Sequence, residues 1–223
     1  MRTTTLIEAE RIFEARETLA ETLARDVADE LTRAIEAKGK ATLAVSGGST
    51  PKLFFEKLSE IDIPWSRVSV TLVDERQVPE TSERSNARLV RQHLLQNRAA
   101  AAKFIPLVGN PDAAKVPAFD VAILGMGSDG HTASFFPGGD RLAEALDADS
   151  GKRLIEINAP GAGEPRLTFT LPMLEQAGRL ALHIEGAEKQ QVLKQALAAG
   201  PEEDMPVRAV LRGAAPVTLY WCP

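Results

Sequence analysis

Apolar residues recur at every fourth position from Leu19 through Leu23, Val27 and Leu31 to Ile35, with Glu, Arg and Asp on the other faces. That spacing predicts an amphipathic helix over residues 13–38 with one stripe turned to a core. Gly39 stands where a C-cap glycine would end it. Further along, the rhythm changes to short apolar runs: ATLAV (41–45), VSVTLV (68–73) and FDVAILG (119–125) predict buried strands. RLIEI (153–157), RLALHIEG (179–186) and VTLYW (217–221) also read as strands, as do residues 3–7, while RLTFTLP (166–172) alternates and then turns. Thr50-Pro51, a hydroxyl N-cap with proline at the first helical position, predicts a helix to about Glu60. Helices are also expected over SNARLVRQHLLQN (85–97) and AEKQQVLKQALAA (187–199), and the Pro/Ala-rich stretch 109–118 reads as a surface loop.

Strands that alternate with helices, several of them apolar on both faces, predict an α/β fold: a mainly parallel sheet with helices on both faces. With no convincing linker or repeat, residues 1–223 read as one catalytic-sized domain. Composition narrows the function classes. A net charge of −5 argues against a nucleic-acid partner. The single cysteine, Cys222, allows no internal disulfide and no thiolate metal cluster, and suits a reduced, cytoplasmic protein. No apolar run approaches the ~18 residues of a membrane span, and the N-terminal stretch lacks the apolar core of a secretory signal.

In open parallel sheets, ligands bind beyond the C-terminal strand ends, and three such ends carry polar motifs. SGGSTP (46–51) joins two glycines that let backbone N–H groups approach an anion, the hydroxyls of Ser46, Ser49 and Thr50, and a helix start. It lacks the Lys of a nucleotide-triphosphate loop, and a plain capped strand–helix turn is an equal reading. Asp74-Glu75-Arg76 follows VSVTLV; Arg76 is a candidate to bind an anion or stabilise an oxyanion, against the reading of a surface ion-pair cluster. GMGSDGHTAS (125–134) places Asp129 and His131 two residues apart in a glycine-rich loop, where the imidazole is a candidate general base. His93 and His183, in a predicted helix and strand, read as structural. On the residues alone Arg166 and Lys189 read as solvated cations, although a lysine in the first turn of a helix opposes the helix dipole unless an anion offsets it.

Together SGGSTP, VDERQVPETSERSN, LGMGSDGHTASFFPG and PRLTFTLP, in this order, resemble the 6-phosphogluconolactonase family, and the later GAEKQQVL also fits. The His- and DER-containing motifs are specific; SGGSTP is shared with the related glucosamine-6-phosphate deaminases. The resemblance implies a Rossmann-like sheet of the deaminase/ribose-5-phosphate isomerase type. It also implies cofactor-free hydrolysis of 6-phospho-D-glucono-1,5-lactone in the oxidative pentose phosphate pathway. Carried onto this chain, it makes His131 the base and Arg76 a substrate-binding or charge-stabilising residue. Ser46, Gly47, Gly48, Ser49, Thr50, Arg166 and Lys189 become the phosphate site. Asp74 and Asp129 are then expected to hold sugar hydroxyls or to fix the imidazole. A small-molecule substrate is the only expected partner, with no membrane, metal or nucleic acid, and the chain is expected as a monomer or small homo-oligomer.

Three rivals remain. The deaminases resemble this chain at the DE and DGH positions, but carry a glutamate five residues after the histidine, where Phe136 stands here, and a tyrosine where Arg76 stands. Gly125, Gly127 and Gly130 match a dinucleotide fingerprint, but His131-Thr132 and then Pro137-Gly138 would interrupt the helix it needs. A non-catalytic sugar-phosphate-sensing module would keep the anion loop without needing His131.

Overall fold

The structure, a computed structural model, describes residues 7–223. In chain order the elements are β1 (Ile7–Ile12), α1 (Arg16–Lys38), β2 (Ala41–Val45), α2 (Lys52–Glu60), β3 (Val68–Leu72), β4 (Asp74–Arg76), α3 (Asn86–His93), β5 (Lys103–Ile105), β6 (Val121–Leu124), α4 (Leu142–Leu146), β7 (Leu154–Ile157), β8 (Arg166–Phe169), α5 (Leu171–Leu174), β9 (Arg179–Glu185), α6 (Ala187–Leu197), α7 (Val207–Leu211) and β10 (Val217–Cys222).

Seven strands form one sheet in the order β1-β10-β9-β6-β2-β3-β5, and every pairing in it is parallel. The central strands β2 and β6 are buried at every position, as strands covered on both faces must be. The α1 stripe Leu19, Leu23, Val27, Leu31 and Ile35 is buried and packs over β2, β6 and β10. Polar ties anchor the helix edge to the sheet: Tyr220 Oη donates to Asp26 Oδ2 at 2.5 Å, and Arg179 Nη1 donates to Glu30 Oε1 at 2.8 Å. Burial, and then its bond to Asp26, pushes the Tyr220 phenol up to about 12, so it remains a donor.

Several local expectations shift. Of the strand expected over residues 3–7, only Ile7 lies within the described residues, and it opens β1, which continues to Ile12. The α1 helix begins at Arg16 rather than Phe13, and Gly39 ends it at φ 79° with its N–H bonded to Ile35 O. Thr50 does not cap α2: Pro51 occupies the N-cap, no side chain caps it, and the helix starts at Lys52. The loop over 109–118 contains a 3-10 turn that buries Ala113 and Val116. Strands β4 and β5 and helices α4 and α7, three to five residues each, have no counterpart in the sequence reading: the residues of β4 are all charged, and a helix of five residues is too short to show a period.

The larger correction concerns the second half of VSVTLV-DER. Asp74-Glu75-Arg76 is not the end of a strand in the main sheet. It is β4, part of a separate antiparallel sheet β4-β8-β7. Val73 is the joint: its N–H donates to Val45 O in the main sheet, and its carbonyl accepts from the N–H of Phe169, the last residue of β8. RLIEI and RLTF therefore belong to this second sheet and not to the parallel one.

Glu75 ties β4 to α3. It is 2% exposed and accepts from the backbone N–H groups of Arg76 (2.7 Å), Asn86 (2.8 Å) and Ala87 (2.7 Å) and from Ser85 Oγ (3.1 Å). Burial raises its pKa, and those donors partly offset the rise. Both oxygens face donors, so Glu75→Gln must turn an amide NH₂ against an N–H group whichever way it is placed. The expected outcome is a loss of about 1–3 kcal/mol of stability in urea unfolding; an unchanged midpoint would refute this account of the β4–α3 junction.

Candidate active site

After β2 the chain continues to β3 on one side, whereas after β6 the next main-sheet strand, β9, lies on the other. Such a divergence opens a crevice beyond the strand ends. Here the loop after β2 is pinned across it, Ser46 N and Oγ both donating to Ile123 O of β6 at 3.1 and 2.9 Å. A cavity of about 270 Å³ opens at this point, lined by Ser46–Thr50, Asp74, Arg76, His131, Arg166 and Lys189. That is close to the lower end of the ~300–1,000 Å³ usual for small-molecule sites. Five segments far apart in sequence thus deliver the predicted site residues to one place. Asp129 is the exception, standing behind His131 rather than on the cavity wall.

The loop after β6 is built around one histidine. Asp129 Oδ1 lies 2.6 Å from His131 Nδ1 and accepts from the His131 backbone N–H at 3.1 Å, while Gly127 N donates to His131 O at 2.8 Å. Gly127 has to be glycine, because a Cβ there would stand 2.1 Å from Nδ1 and 2.5 Å from Asp129 Oδ1. The hydrogen bond from His131 holds the Asp129 carboxyl down at about 2. An ionised carboxylate accepts only, so Nδ1 carries a proton, and in the neutral form of the ring the lone pair is on Nε2. Phe136 stacks on the imidazole with centroids 4.2 Å apart and 28° between planes. Asp74 does not touch the imidazole: it is buried and its Oδ2 accepts from Ser134 Oγ at 2.5 Å. Of the two aspartates, Asp129 is the one that orients the ring.

The cationic wall has a different origin. Arg76 of β4 and Arg166 of β8 are direct partners across the antiparallel pair, a placement that like charges ordinarily disfavour. Arg76 Nη1 donates to Arg84 O (2.9 Å) and Asn86 Oδ1 (2.5 Å), and Arg166 Nη2 to Ala162 O (2.5 Å). The Nε of each is buried without a partner, and among the described residues neither guanidinium lies within ion-pair distance of a carboxylate. Arg166 is 6% exposed, so its reading as a solvated cation is overturned; burial, and then the neighbouring Arg76 charge, lower its pKa. The alternative of a surface ion-pair cluster at DER fails with it. Lys189, half-buried in the first turn of α6, faces the same cavity.

Sequence reasoning missed the residues that hold these groups. Asn86 bridges β4 and the anion loop, with Oδ1 on Arg76 and Nδ2 donating to Asp74 O at 2.9 Å. Its side chain occupies the space above Gly47, where a Cβ would come within 1.8 Å of Oδ1. The only sequence hint is that Asn86 follows Ser85, which caps α3 by accepting from Arg88 N. His93 is a structural histidine, bonded to Glu56 at 2.9 Å. His183 is also buried, edge-on to Phe54 and 3.1 Å from Glu185 Oε1, yet both it and Glu185 border the cavity. No helix follows Gly130, which removes the dinucleotide reading of the glycine triplet. Among the described residues no three His, Cys, Asp or Glu side chains are grouped to hold a metal ion, and no helix is long and apolar enough to cross a membrane.

Comparison with known proteins agrees with this geometry. Residues 14–221 match the family model of glucosamine-6-phosphate isomerases/6-phosphogluconolactonase. A 6-phosphogluconolactonase of Rhizobium meliloti is 54% identical over 226 residues, covering 95% of this chain and 97% of the relative. One of Pseudomonas putida is 43% identical over 218 residues, covering 92% and 89%. The crystal structure of a 6-phosphogluconolactonase from Shewanella baltica superposes with a TM-score of 0.93 at 39% identity, covering 99% of this chain and 100% of that one.

Two outcomes test the histidine loop. Gly127→Ala is expected to displace the imidazole and erase the Nδ1-protonated pattern in ¹⁵N NMR of His131, with the fold retained by circular dichroism. The Asp129 carboxyl is expected to remain ionised at pH 3 in a ¹³C titration, since its folded pKa is depressed to about 2. The pair therefore contributes stability that is present above about pH 4 and is lost as pH falls through about 2. With side chains 30% and 45% exposed, that contribution stays below about 1 kcal/mol. Titration near pH 4 would mean the bond is not formed in solution.

Proposed function

The chain belongs to the glucosamine-6-phosphate isomerase/6-phosphogluconolactonase family and is an enzyme of the 6-phosphogluconolactonase kind, and on that premise we propose that it opens 6-phospho-D-glucono-1,5-lactone to 6-phospho-D-gluconate with His131 as general base. One observation carries the reading. A buried guanidinium, Arg166, and a half-buried one, Arg76, neither within ion-pair distance of a carboxylate among the described residues, face the same cavity as the His131 imidazole. A substrate with a phosphate at one end and an activated ester at the other supplies what each group lacks.

The phosphate is held by the Ser46–Thr50 loop with Arg166 and Lys189, and binding at that remote end orients the ring. Neutral His131 takes a proton on Nε2 from water as the water oxygen bonds to C1 and the carbonyl electron pair moves onto oxygen. The Asp129 carboxylate steadies the imidazolium that forms. Arg76 or backbone N–H groups of the glycine loop meet the oxyanion. Collapse of the tetrahedral intermediate breaks the bond from C1 to the ring oxygen, which takes the proton back from imidazolium. The carboxylic acid product then ionises. No step needs a cofactor. Asp74, fixed by Ser134 at the cavity wall, is placed to accept a sugar hydroxyl. The whole chain acts as one catalytic domain, and a reduced cytoplasmic setting suits its single thiol, the buried Cys222.

Three measurements test the proposal. His131→Ala is expected to lower kcat by ~10²–10⁴-fold above the uncatalysed background with KM little changed; full activity would remove the base assignment. Arg166→Met is expected to raise KM for the phosphorylated lactone by at least about tenfold while leaving the slow turnover of the unphosphorylated lactone as it was. Equal use of both lactones by the unmodified enzyme would refute the anion site. No ammonia is expected from glucosamine 6-phosphate, because the residue stacked on His131 is an aromatic ring and not an acid.

A further inference from the structure

The loop that carries His131 closes on itself. Phe135 N donates to Thr132 O at 2.9 Å, and Gly139 N donates to Phe136 O at 3.0 Å. Ala133 within this turn sits at φ 50°, a conformation that costs a non-glycine residue energy and persists only where the surroundings impose it. The turn sends its two phenylalanines to different jobs. Phe135 is fully buried in the main core, whereas Phe136, 3% exposed, is absent from the core cluster. Instead the Phe136 ring meets two cationic or protonatable groups. It stacks on the His131 imidazole at 4.2 Å, and the Arg166 guanidinium carbon lies 5.3 Å from its centroid. Both distances fall inside the ~6 Å over which an aromatic face attracts a cation.

We propose that Phe136 is a positioning residue: its ring fixes the plane of the His131 imidazole and favours the imidazolium formed as that imidazole accepts a proton. The inference rests on the reading of His131 as the base. The Asp129 bond constrains Nδ1 at one point, and a single hydrogen bond leaves the ring free to tilt about it. Stacking removes that freedom, so Nε2 keeps one direction into the cavity. The ring quadrupole also stabilises positive charge on the imidazole more than an aliphatic side chain of similar volume would. The other charged groups around the imidazole are Asp129 on its own loop, Asp74 and Arg76 from β4, Arg166 from β8, Lys189 from α6, and Glu185 with His183 from β9.

Phe136→Leu and Phe136→Tyr separate this role from cavity filling. His131 is titrated by NMR in the free enzyme, and kcat and KM are measured against pH. For Phe136→Leu the His131 midpoint and the acid limb of the rate profile are expected to move to lower pH by about half a unit. Its kcat at neutral pH should fall about tenfold, with a smaller change in KM. Phe136→Tyr, which keeps the ring, should restore all three. An unmoved His131 midpoint, a Tyr variant as impaired as the Leu one, or an effect confined to KM would overturn the proposal. If Phe136→Leu fails to fold, Phe136→Met serves as the aliphatic control. The NMR midpoint reads the stacking whether or not His131 is the base, so failure of the base assignment, seen in His131→Ala, remains distinguishable.

Discussion

Two arginines face each other across a pair of short antiparallel strands, and much of the local architecture follows from the need to hold them there. Arg76 and Arg166 are register partners in β4 and β8, where like charges repel. Backbone carbonyls and the Asn86 amide take their N–H groups, and among the described residues no carboxylate lies within ion-pair distance of either. The second sheet supplies the rigidity that this demands. Val73 joins it to the main sheet through both its backbone groups, and Glu75 clamps β4 to the start of α3 through three hydrogen bonds, from Ser85, Asn86 and Ala87. A positive site made from strands rather than from a flexible loop keeps its charges in place when no anion is bound.

Against this fixed cationic wall stands a loop whose precision is local. The distance from Gly127 to Phe136 along the chain is short, and nearly every constraint on His131 arises within it: the carboxylate on Nδ1, the ring on one face, and the missing side chain at Gly127. The buried strand β6 is its rigid base. The two halves meet because β2 and β6 are neighbours whose onward paths diverge. Ser46, bonded to Ile123, closes the gap between them.

Much of this was legible in the chain itself. The four-residue stripe of α1 and the apolar runs of β2, β3 and β6 report the parallel sheet, and the glycine-rich breaks after β2 and β6 mark two of the strand ends that border the cavity. Where the reading slipped, the cause was length or context. Thr50 and Pro51 carry the chemistry of a helix cap, but the turn into α2 places Pro51 one position earlier. Asp74-Glu75-Arg76 looked like the frayed end of a long strand because a change of sheet at a single valine leaves no mark on the hydrophobic pattern. Arg166 looked solvated because burial of a cation is decided by what folds over it.

The sequence by itself determined the fold class and the two glycine-rich motifs at the ends of β2 and β6, because periodicity and short-range motifs are properties of residues close in the chain. The tertiary structure alone decided that Asp129 and not Asp74 orients the ring. It also decided that Arg76 opposes Arg166, that Asn86 fills the space over Gly47, and that Phe136 lies against both the His131 imidazole and a guanidinium. Those relations depend on strand register and on a loop folding back through space. Both are set by packing between segments far apart in the chain, and no local pattern encodes them.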